Sequence, residues 1–373
     1  MEMKSIPIFS FVHCFSGKGC IGHKCSTCLA LFFLLFLTGF SSAQTGGLFE
    51  NEEVFTITLS GDLAEVLRDR SGDPQYRFGN LRYTDGDSSV VTIPIRLRTR
   101  GNFRRAKGIC SHPPLLLNFR KEDRKKTIFA QQDRLKLVMP CQGESFLIRE
   151  YHVYKLYNLM SPKSFQAKLV KVVLDDPKLK PKEQGPFYGI LLEEEEQMAE
   201  RNGMVAVEKT LVRPEQTQLD DFLNMAVFNY LIGNTDWSVQ YRQNVKLIAI
   251  DSMSKTSTVP YDFDHSGIVR APYAKPAAEL LMSSVRERRY RGFCIDNMAH
   301  FDKVIAHFNT LKEPIYAVYS KSAFLDQKYI QSTLKYLDAF YAIINNPKKV
   351  KQEFQYPCKE DGTGHVVIKG LRN

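Results

Sequence analysis

GNTDWSVQYRQNVKLIAIDSMSKTSTVPYDFD, residues 233–264, is the stretch of the chain that decides how the rest is interpreted. Asp236 follows a Gly-Asn pair, which permits a tight turn. Asn244 precedes an apolar run with the composition of a strand, and Asp262 and Asp264 follow a second, shorter one. Carboxylate and amide oxygens are the ligands that hard divalent cations prefer. The stretch therefore predicts a polar, cation-holding site beside two strands.

The order of these side chains matches the needs of phosphoryl transfer. That reaction requires a carboxylate that orients the attacking hydroxyl, and an Asn and an Asp that hold Mg²⁺ against nucleotide phosphates. Asp236, Asn244 and Asp262 occur in this order, as they do in protein kinases. Residues two apart in a strand face the same side, so we expect Asp264 to meet the same metal as Asp262. Ordinary structural alternatives are a turn aspartate that caps backbone amides, a strand-edge amide and a solvated pair of loop carboxylates.

The chain before this stretch is rich in predicted strands. Alternating apolar and polar residues, bounded by turn residues, are typical of strands. They occur at Val54–Leu59, Val90–Arg98, Pro114–Phe119, Arg134–Met139, Ala167–Leu174 and Phe187–Leu192. Between the fourth and fifth of these, Phe146–Met160 changes to helical spacing and ends at Ser161-Pro162, which predicts one inserted helix.

The remainder of the chain has mostly helical spacing. Helices are predicted from Leu219 to Gly233, from Phe301 to Phe324 and from Tyr329 to Ile344. The sequence therefore predicts an α+β, protein-kinase-like two-lobed fold. Residues 44–192 would form a β-rich N-terminal lobe with one helix, and residues 193–373 a mostly helical C-terminal lobe with the catalytic and metal-binding segments. A nucleotide would bind in the cleft between the lobes.

Four residues before the stretch are candidates for the nucleotide side of the site. Arg100 belongs to an Arg-Gly-Asn turn after a strand, a backbone arrangement that can face phosphates. Lys136 alternates within an apolar strand and is predicted to reach a phosphate, with Glu150 positioning it through an ion pair. Arg149 is the alternative phosphate-contacting cation. The acidic run Glu193–Glu196 could belong to a hinge or hold a metal, but it is interpreted as a solvated group of charges.

The charge balance is basic, and the first residues resemble a secretory signal. The chain of 373 residues has 51 Lys and Arg against 41 Asp and Glu, a net charge of +10, which suits acidic ligands such as nucleotides. No nucleic-acid recognition motif accompanies this charge, so no nucleic-acid partner is expected. Residues 1–43 contain a short apolar run, Leu29–Leu37, with basic residues before it and small residues after it. This pattern predicts a signal peptide, no membrane span after its removal, and a secreted, periplasmic or cell-surface location; the alternative is an N-terminal membrane anchor that is retained.

Four cysteines follow the predicted signal peptide: Cys110, Cys141, Cys294 and Cys358. An even number of cysteines in an exported chain predicts disulfide bonds. Two bonds are expected, and the sequence leaves all three ways of pairing the four residues open.

Several motifs together resemble the CotH-like secretory kinases, an atypical branch of the protein-kinase-like fold. They are IRLRTRGN at 95–102, LIRE at 147–150, GPFYGILLEEEE at 185–196, GNTDW at 233–237 and PYDFD at 260–264. The resemblance implies phosphorylation of Ser or Thr hydroxyls in secreted proteins, with ATP and Mg²⁺ or Mn²⁺ as cofactors. It implies that Asp236 is the catalytic-loop aspartate, that Asn244 and Asp262 bind metal, and that Asp264 supports Asp262.

Two other functions fit the same residues. The first is a catalytically inactive kinase-like fold that serves as a binding module at the cell surface. The second is a metal-dependent hydrolase that uses the acidic cluster. Such hydrolases usually employ histidine ligands, and His265 is the nearby candidate; as a loop histidine, it is expected to be solvent-exposed.

Overall fold

A computed structural model describes residues 47–106, 108–356 and 358. The predicted signal peptide at 1–43 lies outside these residues. In the part of the chain that is described, no helix is both long enough and apolar enough to cross a bilayer.

Seven strands in the first half of the chain close into a barrel. They are β1 (Thr56–Gly61), β2 (Arg77–Thr84), β3 (Val90–Thr99), β4 (Leu115–Phe119), β5 (Arg134–Val138), β6 (Ala167–Asp175) and β7 (Phe187–Leu192). Their order around the barrel is β1-β2-β3-β4-β5-β7-β6, and the parallel pairing of β1 with β6 closes it. The predicted two-lobed, protein-kinase-like fold is therefore wrong, because these strands form a closed barrel.

The barrel interior is a packed apolar core, which explains the alternation in the sequence. In β3, Ile93, Ile95 and Leu97 are buried, whereas Pro94 and Arg96 between them are exposed. The register continues this pattern around the closure: Leu59 of β1 pairs with Leu81 of β2 and with Leu174 of β6, and all three are fully buried. Successive side chains of a strand point to opposite faces, so one face of each strand fills the barrel.

Short helices connect or flank the strands, and one long helix is inserted between β5 and β6. The short helices are α1 (Leu63–Arg68), α2 (Lys121–Arg124), α4 (Pro181–Gln184) and α5 (Glu195–Arg201). The long one, α3 (Glu144–Met160), confirms the predicted inserted helix. Glu150 and Tyr154 are four residues apart in α3 and so share a face, which is the face that meets the candidate site.

The second half of the chain is mostly helical. Its helices are α6 (Leu219–Ile232), α7 (His300–Thr310), α8 (Lys312–Ser320), α9 (Gln327–Ile344) and α10 (Pro347–Phe354). A small antiparallel sheet of β8 (Val205–Ala206), β9 (Val245–Ala249) and β10 (Ser257–Pro260) accompanies them, in the order β10-β9-β8. The helix predicted from Phe301 to Phe324 is in fact two, α7 and α8. Pro314 accounts for the break, because proline is tolerated in the first turn of a helix but not in its interior.

The end of α6 sets the direction of the chain towards Asp236. Gly233 follows α6 with a φ of +68°, a left-handed conformation that glycine adopts without strain. A Cβ at this position would collide with the hydroxyl of Tyr336. Gly233 is therefore required both for the turn and for close packing against α9.

Two disulfide bonds, Cys110–Cys141 and Cys294–Cys358, cross-link the chain. This confirms the predicted number of bonds, and the structure selects one of the three pairings. The first bond lies beside the candidate site, because it joins the β3–β4 connection to the segment that precedes α3.

Candidate active site

One cavity of about 200 Å³ brings most of the candidate residues together. Its walls come from the β3–β4 connection, from β5 and from the loops on either side of β9 and β10. The predicted residues that line it are Arg100, Lys136, Asp236, Asn244, Asp262 and Asp264. Phe103 and Arg104 also line it and were not assigned to the site from the sequence; His265, which the sequence offered as a ligand for a hydrolase, lines it as well.

The loop that carries Asp236 is held by other residues, so its carboxylate is not needed to cap the turn. Asn234 Oδ1 accepts the backbone N–H of Asp236 at 3.1 Å, and Asn234 Nδ2 donates to Asn229 in α6 at 2.9 Å. The buried Arg291 donates to the carbonyls of Thr235 and Trp237 on either side. The alternative interpretation of Asp236 as a turn-capping aspartate therefore fails, because Asn234 performs that function.

Asn244 is oriented by Asp236. Its Nδ2 donates to the Asp236 carbonyl at 2.8 Å and to Asp236 Oδ2 at 2.9 Å. Asn244 has a φ of +50°, a left-handed conformation that asparagine tolerates better than most residues. Within the described residues, its Oδ1 accepts no hydrogen bond, so the amide oxygen remains available for a cation.

Asp262 faces the cavity from a strained backbone. Its φ is +59°, and its N–H donates to Tyr154 Oη of α3 at 2.9 Å. Lys136 Nζ lies 3.4 Å from Asp262 Oδ2, and the Asp262 side chain retains 29% exposure. Because β10 ends at Pro260, Asp262 and Asp264 do not lie in a strand, and the expectation that they face the same side for that reason is wrong.

Arg104 holds both Asp264 and Glu150. Its Nε donates to Asp264 Oδ2 at 2.8 Å and its Nη2 to Glu150 Oε2 at 2.6 Å, and all three residues are buried. Glu150 was expected to pair with Lys136; instead it pairs with Arg104, and Lys136 pairs with Asp262. The sequence feature that could have identified Arg104 is the pair of arginines, Arg104 and Arg105, that follows the Arg-Gly-Asn turn and Phe103.

The single charge of Arg104 lies between two buried carboxyl groups, those of Asp264 and Glu150, and their pKa values shift in opposite directions. Burial alone would raise the pKa of Asp264, but the charges of Arg104 and His265 lower it to about 2. Burial raises the pKa of Glu150 to about 7, against the attraction of Arg104 and with the repulsion of Asp264. Glu150 Oε1 is buried without a hydrogen-bond partner among the described residues, which is consistent with this difference. Asp264 therefore stays ionised while Glu150 titrates near neutral pH.

The stability of the wild type, relative to a Glu150→Gln variant, is expected to fall as the pH rises from about 4.5 to about 7. The folded state binds the Glu150 proton more tightly than the unfolded state, so its stabilisation is complete below the unfolded pKa and disappears as the pH passes the folded pKa. The change is on the order of 3 kcal/mol at most. Urea unfolding of both proteins across this range measures it. The exposed Glu122→Gln serves as control, and a pH-independent difference between the wild type and Glu150→Gln would contradict the expectation.

Asp236 also has a perturbed carboxyl group. Burial raises its pKa to about 6; His265 opposes the shift and the charges of Asp264 and Asp262 add to it. Its carboxylate is thus largely ionised at neutral pH, yet its pKa lies near the range in which a general base works efficiently.

Two candidates for phosphate contact differ in position. Arg100 lines the cavity and forms an ion pair with Glu194 at 2.5 Å. Arg149 does not line it: its guanidinium lies over Tyr329 at 4.1 Å, and its Nη1 donates to the Val269 carbonyl at 3.4 Å. Of the proposed cations, Lys136 and Arg100 therefore have access to the cavity.

The acidic run after β7 is ion-paired rather than freely solvated. Each of its four glutamates contacts a basic side chain: Glu193 with Arg201, Glu194 with Arg100, Glu195 with Arg242 and Lys246, and Glu196 with Arg134. The interpretation of this run as a solvated charge cluster is therefore wrong.

His265 lies in the cavity wall and is buried, with 6% exposure, so the expectation of a solvent-exposed loop histidine is also wrong. Its ring packs edge-on against Phe103 at 5.3 Å, and its Nδ1 is buried without a partner among the described residues.

Compared with known proteins, the sequence matches no family model and no curated protein. Among solved structures, the chain is similar to the proinflammatory kinase CtkA of Helicobacter pylori. The sequence identity is 9% and the TM-score 0.39, and the match covers 66% of this chain and 93% of CtkA. The resemblance to the CotH-like family stays a prediction.

Proposed function

We propose that the chain is an ATP- and divalent-metal-dependent protein kinase that phosphorylates Ser or Thr hydroxyls of secreted or cell-surface proteins. One observation carries the proposal: Asp236, Asn244, Asp262 and Lys136 line a single cavity. The two disulfide bonds support an oxidising location, since such bonds persist outside the cytosol.

The donor atoms around the cavity fit Mg²⁺ or Mn²⁺. Asn244 Oδ1 and the partly exposed carboxylate of Asp262 are oxygen ligands of the kind these ions prefer. Asp264 is a weaker candidate, because Arg104 already occupies its Oδ2. A bound divalent ion would neutralise phosphate charge during transfer. In this proposal Asn244 and Asp262 are its principal ligands.

The protein's own cations would bind the phosphates of ATP. Lys136 Nζ is buried against Asp262 at 3.4 Å, a distance that leaves room for rearrangement towards a phosphate oxygen. Arg100 lies in the same wall, held by Glu194. Asp236 would orient the acceptor hydroxyl and accept its proton, because it is ionised at neutral pH and fixed by Asn244.

Incubation with labelled ATP and Mn²⁺ or Mg²⁺ tests the proposal. Wild type is expected to transfer label to protein and Asp262→Ala is expected to lose that activity, whereas Asp175→Ala, an exposed aspartate of β6, keeps it. ATP at about 100 times its dissociation constant should also stabilise the wild type by about 2.7 kcal/mol.

Two results would favour the other functions. Absence of both labelling and stabilisation by ATP would contradict the kinase and favour a binding module. Release of labelled phosphate to water without labelled protein would favour a hydrolase, for which the buried His265 supplies a nitrogen ligand.

A further inference from the structure

A second cavity, of about 570 Å³, lies between α1, the residues after Cys110 and the segment that leads into α4. It shares no lining residue with the candidate active site. Its lining carries four cations, Arg68, Arg70, Lys178 and Lys180, together with the buried His112 and Glu183 as the carboxylate.

The positive charge of this cavity is only partly balanced. Asp62 contacts Lys178 at 3.1 Å, and Glu183 Oε2 is used as an acceptor for the backbone N–H of Lys180 at 3.0 Å. Over residues 47–106, 108–356 and 358, no carboxylate forms an ion pair with Arg68, Arg70 or Lys180. A concave surface with uncompensated cations concentrates anions.

One of these cations is held in place before any ligand arrives. Arg70 Nη1 donates to the Arg105 carbonyl at 3.0 Å and its Nη2 to the Cys110 carbonyl at 3.2 Å. Cys110 is itself fixed by its disulfide bond with Cys141. Burial and then the charge of Arg105 lower the pKa of Arg70, which means that its charged guanidinium is destabilised. A nearby anion would stabilise that charge. A fixed guanidinium loses little conformational freedom on binding.

The remaining walls of the cavity are apolar. Ala64, Leu67 and Leu179 are buried and line it. A ligand that fills the cavity therefore needs an uncharged organic portion, which contacts these side chains, as well as a charged group. Guanidinium and ammonium groups suit the tetrahedral oxyanions of phosphate and sulfate. We propose that this cavity binds a small organic phosphate or sulfate monoester, independently of the proposed phosphoryl transfer.

Calorimetric titration of the full chain with glucose 6-phosphate, glucose 6-sulfate and glucose tests the proposal. At least one ester is expected to bind, and the comparison of the two identifies the preferred group; glucose is not expected to bind. In the double variant Arg68→Gln/Lys180→Gln, ester affinity should fall roughly tenfold or more, because two charge-assisted contacts are lost. Both positions are exposed, so an unchanged melting temperature verifies folding.

The matched control is Lys121→Gln/Lys182→Gln, which removes the same charge at exposed positions outside the cavity and should bind like the wild type. The proposal is overturned if neither ester binds the wild type, if glucose binds equally well, or if the Arg68→Gln/Lys180→Gln variant keeps wild-type affinity.

Discussion

Asp236→Asn is expected to lower the rate constant of phosphoryl transfer by about 10²- to 10⁴-fold and to leave the affinity for ATP nearly unchanged. The asparagine has the same shape and can still accept the hydrogen bond from Asn244 Nδ2, which spans 2.9 Å in the wild type. It cannot accept the proton of an acceptor hydroxyl. The loss should therefore fall on kcat rather than on the KM for ATP.

Steady-state kinetics of wild type and variant measure the change in kcat, and calorimetric titration of ATP measures the change in ATP affinity. Asp220→Asn is the control, since Asp220 lies in the first turn of α6 and is exposed, with an ion pair to Lys303 at the surface. An Asp236→Asn enzyme with wild-type kcat would remove Asp236 from the catalytic role. A variant that loses kcat and ATP affinity together would show that Asp236 holds the site together instead.

Arg104→Met is expected to cost about 3–5 kcal/mol of folding stability near pH 8, because it leaves buried carboxylates without their cation. At that pH, both Asp264 and Glu150 lose their partner, at 2.8 Å and 2.6 Å respectively. Near pH 5 the cost should be smaller. The pKa of Glu150 is about 7 in the wild type, so this group is already protonated there and Asp264 alone remains an unpaired charge.

Urea unfolding at the two pH values measures the cost. Arg105→Met is the matched control: Arg105 is the next residue but is only partly buried, and its Nε donates to the Gly101 carbonyl at 2.9 Å rather than to a buried carboxylate. The double variant Arg104→Met/Glu150→Gln should recover part of the loss near pH 8, since one buried charge is removed. Equal losses for Arg104→Met and Arg105→Met would refute the stabilising role of the buried ion pairs.

The elements of this fold are encoded locally, but their closure into a barrel is not. The alternation of Ile93, Ile95 and Leu97 with exposed residues identifies β3 and its buried face. This alternation of buried and exposed residues does not indicate which strands pair with β3. The pairing of β1 with β6 joins residues more than a hundred positions apart, such as Thr58 and Val173, and that contact separates a barrel from an open sheet.

The candidate site likewise combines residues that are close together in the sequence with residues that meet only in the folded structure. Asp236, Asn244 and Asp262 lie within one short stretch, so their proximity follows from a loop and two paired strands. Arg104, Glu150 and Asp264 meet across 46 and 160 positions of the chain. Arg104 and Arg105 have the same side chain and are neighbours in sequence. The packing of α3 against the loop after β3 buries Arg104 and leaves Arg105 only partly buried.

The disulfide bond Cys294–Cys358 has a consequence for the unfolded chain. It closes a loop with a sequence separation of 64 residues, which contains all of α7, α8, α9 and α10. Closing a loop of this length removes conformational entropy from the denatured ensemble, worth about 4 kcal/mol in the chain-entropy description. The bond therefore stabilises this helical part of the fold partly through the unfolded chain, because it restricts how far the unfolded segment can spread.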